Sequence, residues 1–499
     1  MPTLEIPNFS KEFYCAASPV FLLFTGAMVA LMMGVFKSLQ KAKILFSTSV
    51  LTVVLALVAI FLNASNSSLA VNSYLSGSFV SGSATFFAST TILLLGLATL
   101  LIFWDHFTRI QFYRGEIQSL FLMILAGMLV MASADELISV FVGLELASIG
   151  TYALIGYIAP NRFSIEGAVK YFILGSVAAA ILLMGFGFLY ASTGSLAIYE
   201  ILNGFSKLND HAWYKLGLLF TIVGFCFKLA LMPFHRWAPD AYESAPTPLT
   251  AFMATAMKVM ILTTFFRLFA AAPSHIGTVA VPMMLFMAAI SVIAGNTMAL
   301  VQVSLKRMLA YSSIAHSGYM AIALCAAFEG GGQAAVSAVF LYLISYSIVT
   351  IGSFAIIAWF ENEEISNITL DDMNDLYKKH PKASLSLAVF LLSLAGMPPA
   401  AGFVSKFLIF SAAISKGLTG IVVIAAIGST IALYYYLRVI VRMFMSKSVQ
   451  SFQLPQPKHS WSTQVIVGLC VLATLALGTV LPQQSIQFVK AMASELVKG

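Results

Sequence analysis

The stretch GFCFKLALMPFHRWAPDAYESAPTPLTAFMATAMKVMIL, residues 224–262, sets Lys228 and Lys258 inside runs of Phe, Leu, Met and Ala. A proline-rich polar turn separates the two runs. Working outward, apolar runs of about 20 residues recur in both directions, each long enough to cross a ~30 Å hydrocarbon core as a helix. The 499-residue chain is 60% hydrophobic and 9% charged, whereas soluble globular chains carry about 25% charged residues. The expectation is an all-α polytopic membrane protein built as one bundle.

Hydropathy gives about fourteen spans, and the basic residues orient them. Of the 27 lysines and arginines, seventeen fall in one set of alternate loops. Seven fall in the other set with the termini, and three lie mid-span. That bias places both termini outside and the first loop inside. The net charge of +7 is spread over short loops, which fits topology rather than nucleic-acid binding. Met1–Ser18 is polar and contains Glu5, Lys11 and Glu12, so no cleavable signal peptide is expected.

The three mid-span cations are Lys228, Lys258 and Lys406. Among the acids, Glu145 in VFVGLELASIGTYALIGY lies roughly 12 Å into the fifth span at 1.5 Å per residue. Among the histidines only His316, in SSIAHSGYMAIAL, is mid-span. The interior is thus expected to hold five titratable side chains: Glu145, Lys228, Lys258, His316 and Lys406. No metal or cofactor site is expected, because Cys15, Cys226, Cys325 and Cys470 are scattered and neither GxGxxG nor a P-loop occurs.

Spans 4–8 and 9–13 read as two copies of one five-helix unit. KLALMPFHRW in span 7 is broken at Pro233, and LSLAGMPPAAGFVSKF in span 12 at Pro398 and Pro399. Five is odd, so the second copy enters the membrane inverted. The chain then divides into spans 1–3 (residues 1–116), the first repeat (117–270), the inverted repeat (277–441) and span 14 (463–499). Proline frees backbone carbonyls that lipid cannot satisfy, so both breaks must face protein or a wet cavity. Between spans 7 and 8, the polar loop reads as a rigid re-entrant turn with His235, Asp240 and Glu243 as interface anchors. The acidic-then-basic loop ENEEISNITLDDMNDLYKKHPKAS reads as a surface helix facing a partner.

A lone mid-span lysine can be a snorkelling or helix-locking residue, and a lone histidine a satisfied core residue. Magnitude favours function for the set. A lysine at the bilayer centre costs about 2.5–3.5 kcal/mol, against about 1.4 kcal/mol per tenfold change in proton affinity. Such a group is poised to exchange its proton, and a neighbouring carboxylate restores the ammonium. A Glu145–Lys228 pair that forms and opens would therefore drive a proton along the row, with Ser148, Tyr152, Ser312, Ser313, Ser317 and Tyr319 lining a wet path.

These same segments resemble a known family. KLALMPFHRWAPDAYESAPTPLTAFMATAMK, SLAGMPPAAGFVSKF, LKRMLAYSSIAHSGYMAIAL and GLELASIGTYALIGY are similar to the signatures of the antiporter-like membrane subunits of respiratory complex I. The resemblance covers spans 4–13. Lys406 where another branch carries glutamate, and the absence of a lateral helix after span 14, resemble the subunit N branch of bacterial NADH–quinone oxidoreductase. It implies a proton-translocating bacterial inner-membrane subunit with Glu145 and Lys228 as a pair. Lys258 would be the central relay lysine, His316 an intermediate, and Lys406 the terminal lysine toward the outside. It also implies partners: other membrane subunits, and a peripheral arm where NADH, FMN, iron–sulfur clusters and quinone would bind. A subunit of a multi-subunit sodium/proton antiporter is the alternative, since it would use the same residues.

Overall fold

In the computed structural model, the described residues are 11–36, 39–66, 72–74, 79–110, 112–157, 162–205, 208, 211–269, 274–361, 367–446, 461–480, 483, 486–487, 489 and 490. The N-terminal ten residues read for a signal peptide, and the loop from 447 to 460, lie outside them. Helices dominate. The chain begins with α1 (Lys11–Val35), α2 (Ala42–Asn66) and α3 (Ser83–Arg109). Then come α4 (Gly115–Ser133), α5 (Leu137–Gly156), α6 (Arg162–Thr193), α7 (Ile198–Gly204), α8 (Ala212–Lys228), α9 (Trp237–Ser244) and α10 (Thr247–Phe269). The second half runs α11 (Ser274–Leu300), α12 (Leu305–Ala326), α13 (Gly332–Phe360), α14 (Leu376–Lys379), α15 (Pro381–Ala395), α16 (Ala401–Ile414), α17 (Thr419–Met445) and α18 (Trp461–Thr479).

Eleven of these helices are long and apolar enough to cross a bilayer, and α15 and α16 are shorter apolar helices. The all-α expectation needs one amendment: β1 (Asn72–Tyr74) and β2 (Phe79–Ser81) form a small antiparallel hairpin between α2 and α3. The bundle centres on α10, whose apolar window is wholly buried against α3, α4 and α13. Because this window of α10 is enclosed by the chain itself, its polar side chains meet protein. Exposed apolar residues occur instead on α1, α2 and α6, as Met28, Phe61 and Phe172 show.

Both proline breaks are present. Helix α8 stops at Lys228, and Ala230 adopts φ 56°, a left-handed conformation that favours glycine. Helix α15 stops before Gly396 at φ 85°. Each left-handed residue lies three positions before a proline, Pro233 or Pro399, so the two breaks correspond with a one-residue offset from the Met-Pro alignment. The segment between α8 and α10 is not a bare hydrophilic turn. It forms α9, which buries Trp237, Pro239, Ala241 and Tyr242. The loop after α13 is no continuous surface helix among its described residues: a 3-10 turn at Asp371–Met373 and the single turn of α14 are its regular structure.

Close helix contacts depend on missing side chains, as expected where small residues let backbones approach. A Cβ on Gly143 of α5 would lie 2.5 Å from the Met131 amide nitrogen and 2.8 Å from the Gly127 carbonyl oxygen of α4. Backbone cannot yield as a side-chain tip can. Gly143→Val is therefore expected to cost about 1–3 kcal/mol of stability, read as a lowered unfolding temperature of the detergent-solubilised protein.

Candidate functional site

Lys228 is 6% exposed and ends α8. Its ammonium donates to Ser148 Oγ at 2.7 Å and to Tyr152 Oη at 3.1 Å, both on α5. It also lies 5.5 Å from the Tyr152 ring centroid and 5.8 Å from that of Tyr171. Glu145 stands one helical turn before Ser148 on the same helix. It is half-buried, and its Oε1 is buried without a hydrogen-bond partner. The expected Glu145–Lys228 pair is therefore open: the described ion pairs, all within 4.0 Å, do not include it. Two hydroxyls on α5 hold the amine in place of the carboxylate.

The break beyond Lys228 is satisfied by protein. Trp237 Nε1 donates to the Phe227 carbonyl at 2.9 Å, and Ser317 Oγ donates to the Leu229 carbonyl at 2.7 Å. The Met232 amide donates to Ser291 Oγ at 2.8 Å. Two of these three ties come from α11 and α12, so the second half of the chain holds the break of the first.

Lys258, at the middle of α10 and 2% exposed, donates to the Ser313 carbonyl and to Ser313 Oγ, each at 2.7 Å. Tyr346 Oη of α13 lies 3.5 Å from the ammonium and itself donates to Ser313 Oγ at 2.9 Å. One helical turn further along α12, His316 Nδ1 bonds Tyr342 Oη at 2.6 Å and Nε2 bonds Tyr436 Oη at 3.3 Å. Tyr436 in turn bonds Ser312. Lys406 donates to the Leu394 carbonyl at 2.9 Å, the Ala395 carbonyl at 3.1 Å and Ser429 Oγ at 3.0 Å. It thus caps the carbonyl end of α15, where the helix dipole favours a cation.

The structure brings Lys258, His316 and Lys406 into one polar neighbourhood. His316, Tyr346, Ser345, Ser405 and Lys406 line a shared small cavity between α12, α13 and α16, with room on the order of one water. The Lys228 group stands apart. Among the described residues its link to Lys258 runs through backbone: Leu229 carbonyl, Ser317 hydroxyl and Ser313 carbonyl, the last at 3.2 Å. Sequence reading missed Tyr342, Tyr346 and Tyr436. Tyr342 and Tyr346 are four apart on α13, a spacing that shares one helix face.

The count of five buried titratable groups is also too low. Asp105 is 0% exposed, Lys306 and Glu361 are 3%, and His106 is 6%. Lys306 belongs to this buried set, and Arg109, at the end of α3, lies at its edge. Asp240 and Glu243, read as interface anchors, do lie at a rim: Arg307 Nη1 bonds Asp240 Oδ1 at 2.8 Å and Glu243 Oε2 at 2.9 Å. His235 does not join them; its Nδ1 lies 3.3 Å from the Pro233 carbonyl.

The sequence matches the family described as NADH:quinone oxidoreductase/Mrp antiporter, TM, over residues 134–432, more than half of the chain. The chain belongs to this family. The matched region contains Glu145, Lys228, Lys258, His316 and Lys406 alike. NADH-quinone oxidoreductase subunit N of Bdellovibrio bacteriovorus is 36% identical over 91% of this chain and 94% of its own. Subunit N of Myxococcus xanthus is 33% identical over 96% and 97%. Among solved structures, a chain of respiratory complex I from Thermus thermophilus superposes with TM-score 0.79 at 31% identity, covering 94% of this chain and 98% of that one. A chain of the Mrp complex from a Dietzia species superposes at TM-score 0.82 with 18% identity, over 98% of both chains, and shares the fold. The NADH:quinone oxidoreductase/Mrp antiporter fold therefore houses the lysine row.

Gly175 makes room for the hydroxyl that holds Lys228. A Cβ there would meet Tyr152 Oη at 2.1 Å. Removing a hydrogen bond to a charged group costs about 1.5–3 kcal/mol, so Tyr152→Phe and Gly175→Ala are each expected to destabilise. Because both act on one contact, the double variant should fall short of the sum of the singles by more than about 0.5 kcal/mol, measured by thermal unfolding in detergent.

Proposed function

We propose that this chain is the subunit N of a bacterial NADH–quinone oxidoreductase and translocates protons through Glu145, Lys228, Lys258, His316 and Lys406. The observation that carries the reading is chemical. Lys228, Lys258 and Lys406 are buried in the bundle, and each is held by hydroxyl or carbonyl oxygens that accept a hydrogen bond without fixing a charge. Intramembrane ionisable groups held in this way mark proton routes. Hydroxyls of Ser313, Tyr346, Tyr342 and Tyr436 stand between Lys258 and His316, where they can pass a proton by rotating.

Counting α8, α12 and the α15–α16 pair alongside the eleven apolar helices gives fourteen crossings. Residues 117–270 and 277–441 then form the two inverted repeats, flanked by 1–116 and 463–499, with both termini outside. The chain carries no redox centre in this reading. Electrons move from NADH through FMN and iron–sulfur clusters to quinone on partner subunits, and that chemistry drives Glu145 toward or away from Lys228. The open pair is one position of the switch. Closing it stabilises the Lys228 ammonium, and opening it sends the proton toward Lys258.

The multi-subunit sodium/proton antiporter reading has less support, since the Mrp likeness is one of fold at 18% identity. Lys258→Met and Lys228→Ala should each lower proton translocation by about tenfold or more, a barrier change of at least 1.4 kcal/mol, in inner-membrane vesicles containing the assembled complex. Wild-type translocation by either variant would defeat the reading. For the orientation, a cysteine placed at exposed Lys378 should react with a membrane-impermeant maleimide in inverted vesicles and not in right-side-out ones.

A further inference from the structure

Beneath the Arg307 rim lies a second buried ionic group that the lysine row does not use. Glu361, just past the end of α13, accepts from Thr247 Oγ1 at 2.7 Å and pairs with Lys306 Nζ at 3.2 Å, both through Oε1. Its Oε2 faces His106 Nδ1 at 3.8 Å, ion-pair range but beyond hydrogen-bond reach. Arg109 donates to the Glu361 main-chain carbonyl at 3.1 Å and to that of Ala358 at 2.7 Å. Asp105 is fully buried; its Oδ2 accepts from the Thr463 amide, and its Oδ1 has no partner.

Placement gives this group its meaning. Helices α10 and α12, with the end of α13, each contribute one member: Thr247, Lys306 and Glu361. The same three helices each contribute one member to the next group: Lys258, Ser313 and Tyr346. Along α12, Lys306 precedes Ser313 by seven residues, about 10 Å at 1.5 Å per residue. The interval holds polar groups: Thr250 Oγ1 donates to the Tyr242 carbonyl at 2.8 Å, and Thr350 stands one turn from Tyr346 on α13. On the other side, Arg307, one residue from Lys306, is already at the wet rim with Asp240 and Glu243.

We infer that Glu361, held between Lys306 and His106, is a proton-loading site that takes protons from the inner, lysine- and arginine-rich side and supplies Lys258. The inference rests on the relay reading above. A buried ion pair is weak as a source of stability, since an apolar pair of similar volume often does as well; a site that must change charge cannot be replaced in that way. Uptake breaks one O–H bond of a hydronium ion from the inner side, leaving water, and forms one O–H bond on a Glu361 oxygen; this neutralises the carboxylate and loosens Lys306, which stays an ammonium throughout. Delivery breaks that O–H bond and forms one N–H bond on the neutral Lys258 amine. The carboxylate then pairs with Lys306 again, ready for the next uptake.

The test uses inner-membrane vesicles containing the assembled complex, with NADH-driven proton uptake as readout. Glu361→Gln and the double variant Glu361→Gln/Lys306→Met are both expected to translocate about tenfold more slowly, as for a barrier raised by 1.4 kcal/mol. The double variant leaves no unpaired charge, so recovery to the wild-type rate would mean a structural pair and overturn the inference. Glu361→Asp keeps a titratable group and should recover at least part of the rate. Lys258→Met is run in parallel: if it fails while the double variant pumps normally, only the loading site falls, and if it pumps normally, the relay itself falls. In the wild-type complex, a carboxyl infrared band that appears on turnover should shift in Glu361→Asp; an unshifted spectrum would also overturn the inference.

Discussion

An ammonium taken out of water must keep its three N–H donors occupied, and the lysine row is built around that demand. Lys406 fills all three with two helix-end carbonyls and a serine. Lys258 does so with both oxygens of Ser313 and the hydroxyl of Tyr346. Lys228 meets Ser148 and Tyr152 and presents its charge to two aromatic rings. None of these partners carries a formal charge. Neutral acceptors stabilise the cation without committing it, which a full carboxylate partner would do. Lys306 shows the contrast, since it alone among the described buried lysines has a carboxylate in ion-pair range, at 3.2 Å.

The proline breaks answer the same demand from the other direction. A helix that stops inside a membrane leaves carbonyls and amides bare, and lipid offers nothing to meet them. At the second break Lys406 itself covers two of the carbonyls, so the buried cation and the structural repair are one contact. At the first break the repair comes from Trp237, Ser317 and Ser291, and Lys228 is left free of backbone duty. The two lysines are thus not equivalent despite the paired breaks. Lys228 can change partners without opening a helix end, whereas moving Lys406 exposes one.

Much of this was readable from residue order alone. Lysine in the middle of an apolar run is conspicuous, and Met-Pro inside a span announces a break whatever surrounds it. Lys306, Glu361, Asp105 and His106 were not legible, because each sits at the end of an apolar run where a charged residue ordinarily meets water. Their burial comes from α9 folding back across the bundle and from α13 ending against α3 and α10, which is tertiary information. The same folding-back hid Tyr242, since a proline-rich polar stretch reads as exposed turn. The Glu145–Lys228 pair was legible as a pair of positions and not as a state. Hydroxyls one and two turns along α5 compete for the amine, and residue spacing does not say which partner wins.

Helix α10 carries a consequence for how the chain is made. Its mean hydropathy of 1.6 is the lowest of the eleven apolar helices, and every residue of its apolar window ends up buried. Its neighbours α3 and α4 are synthesised before it, but α13 emerges only afterwards. During translation α10 must therefore wait with Lys258 on an unfinished flank, leaning on helices already inserted. For that interval Lys258 is without Ser313 and Tyr346, the two residues that hold it in the finished protein.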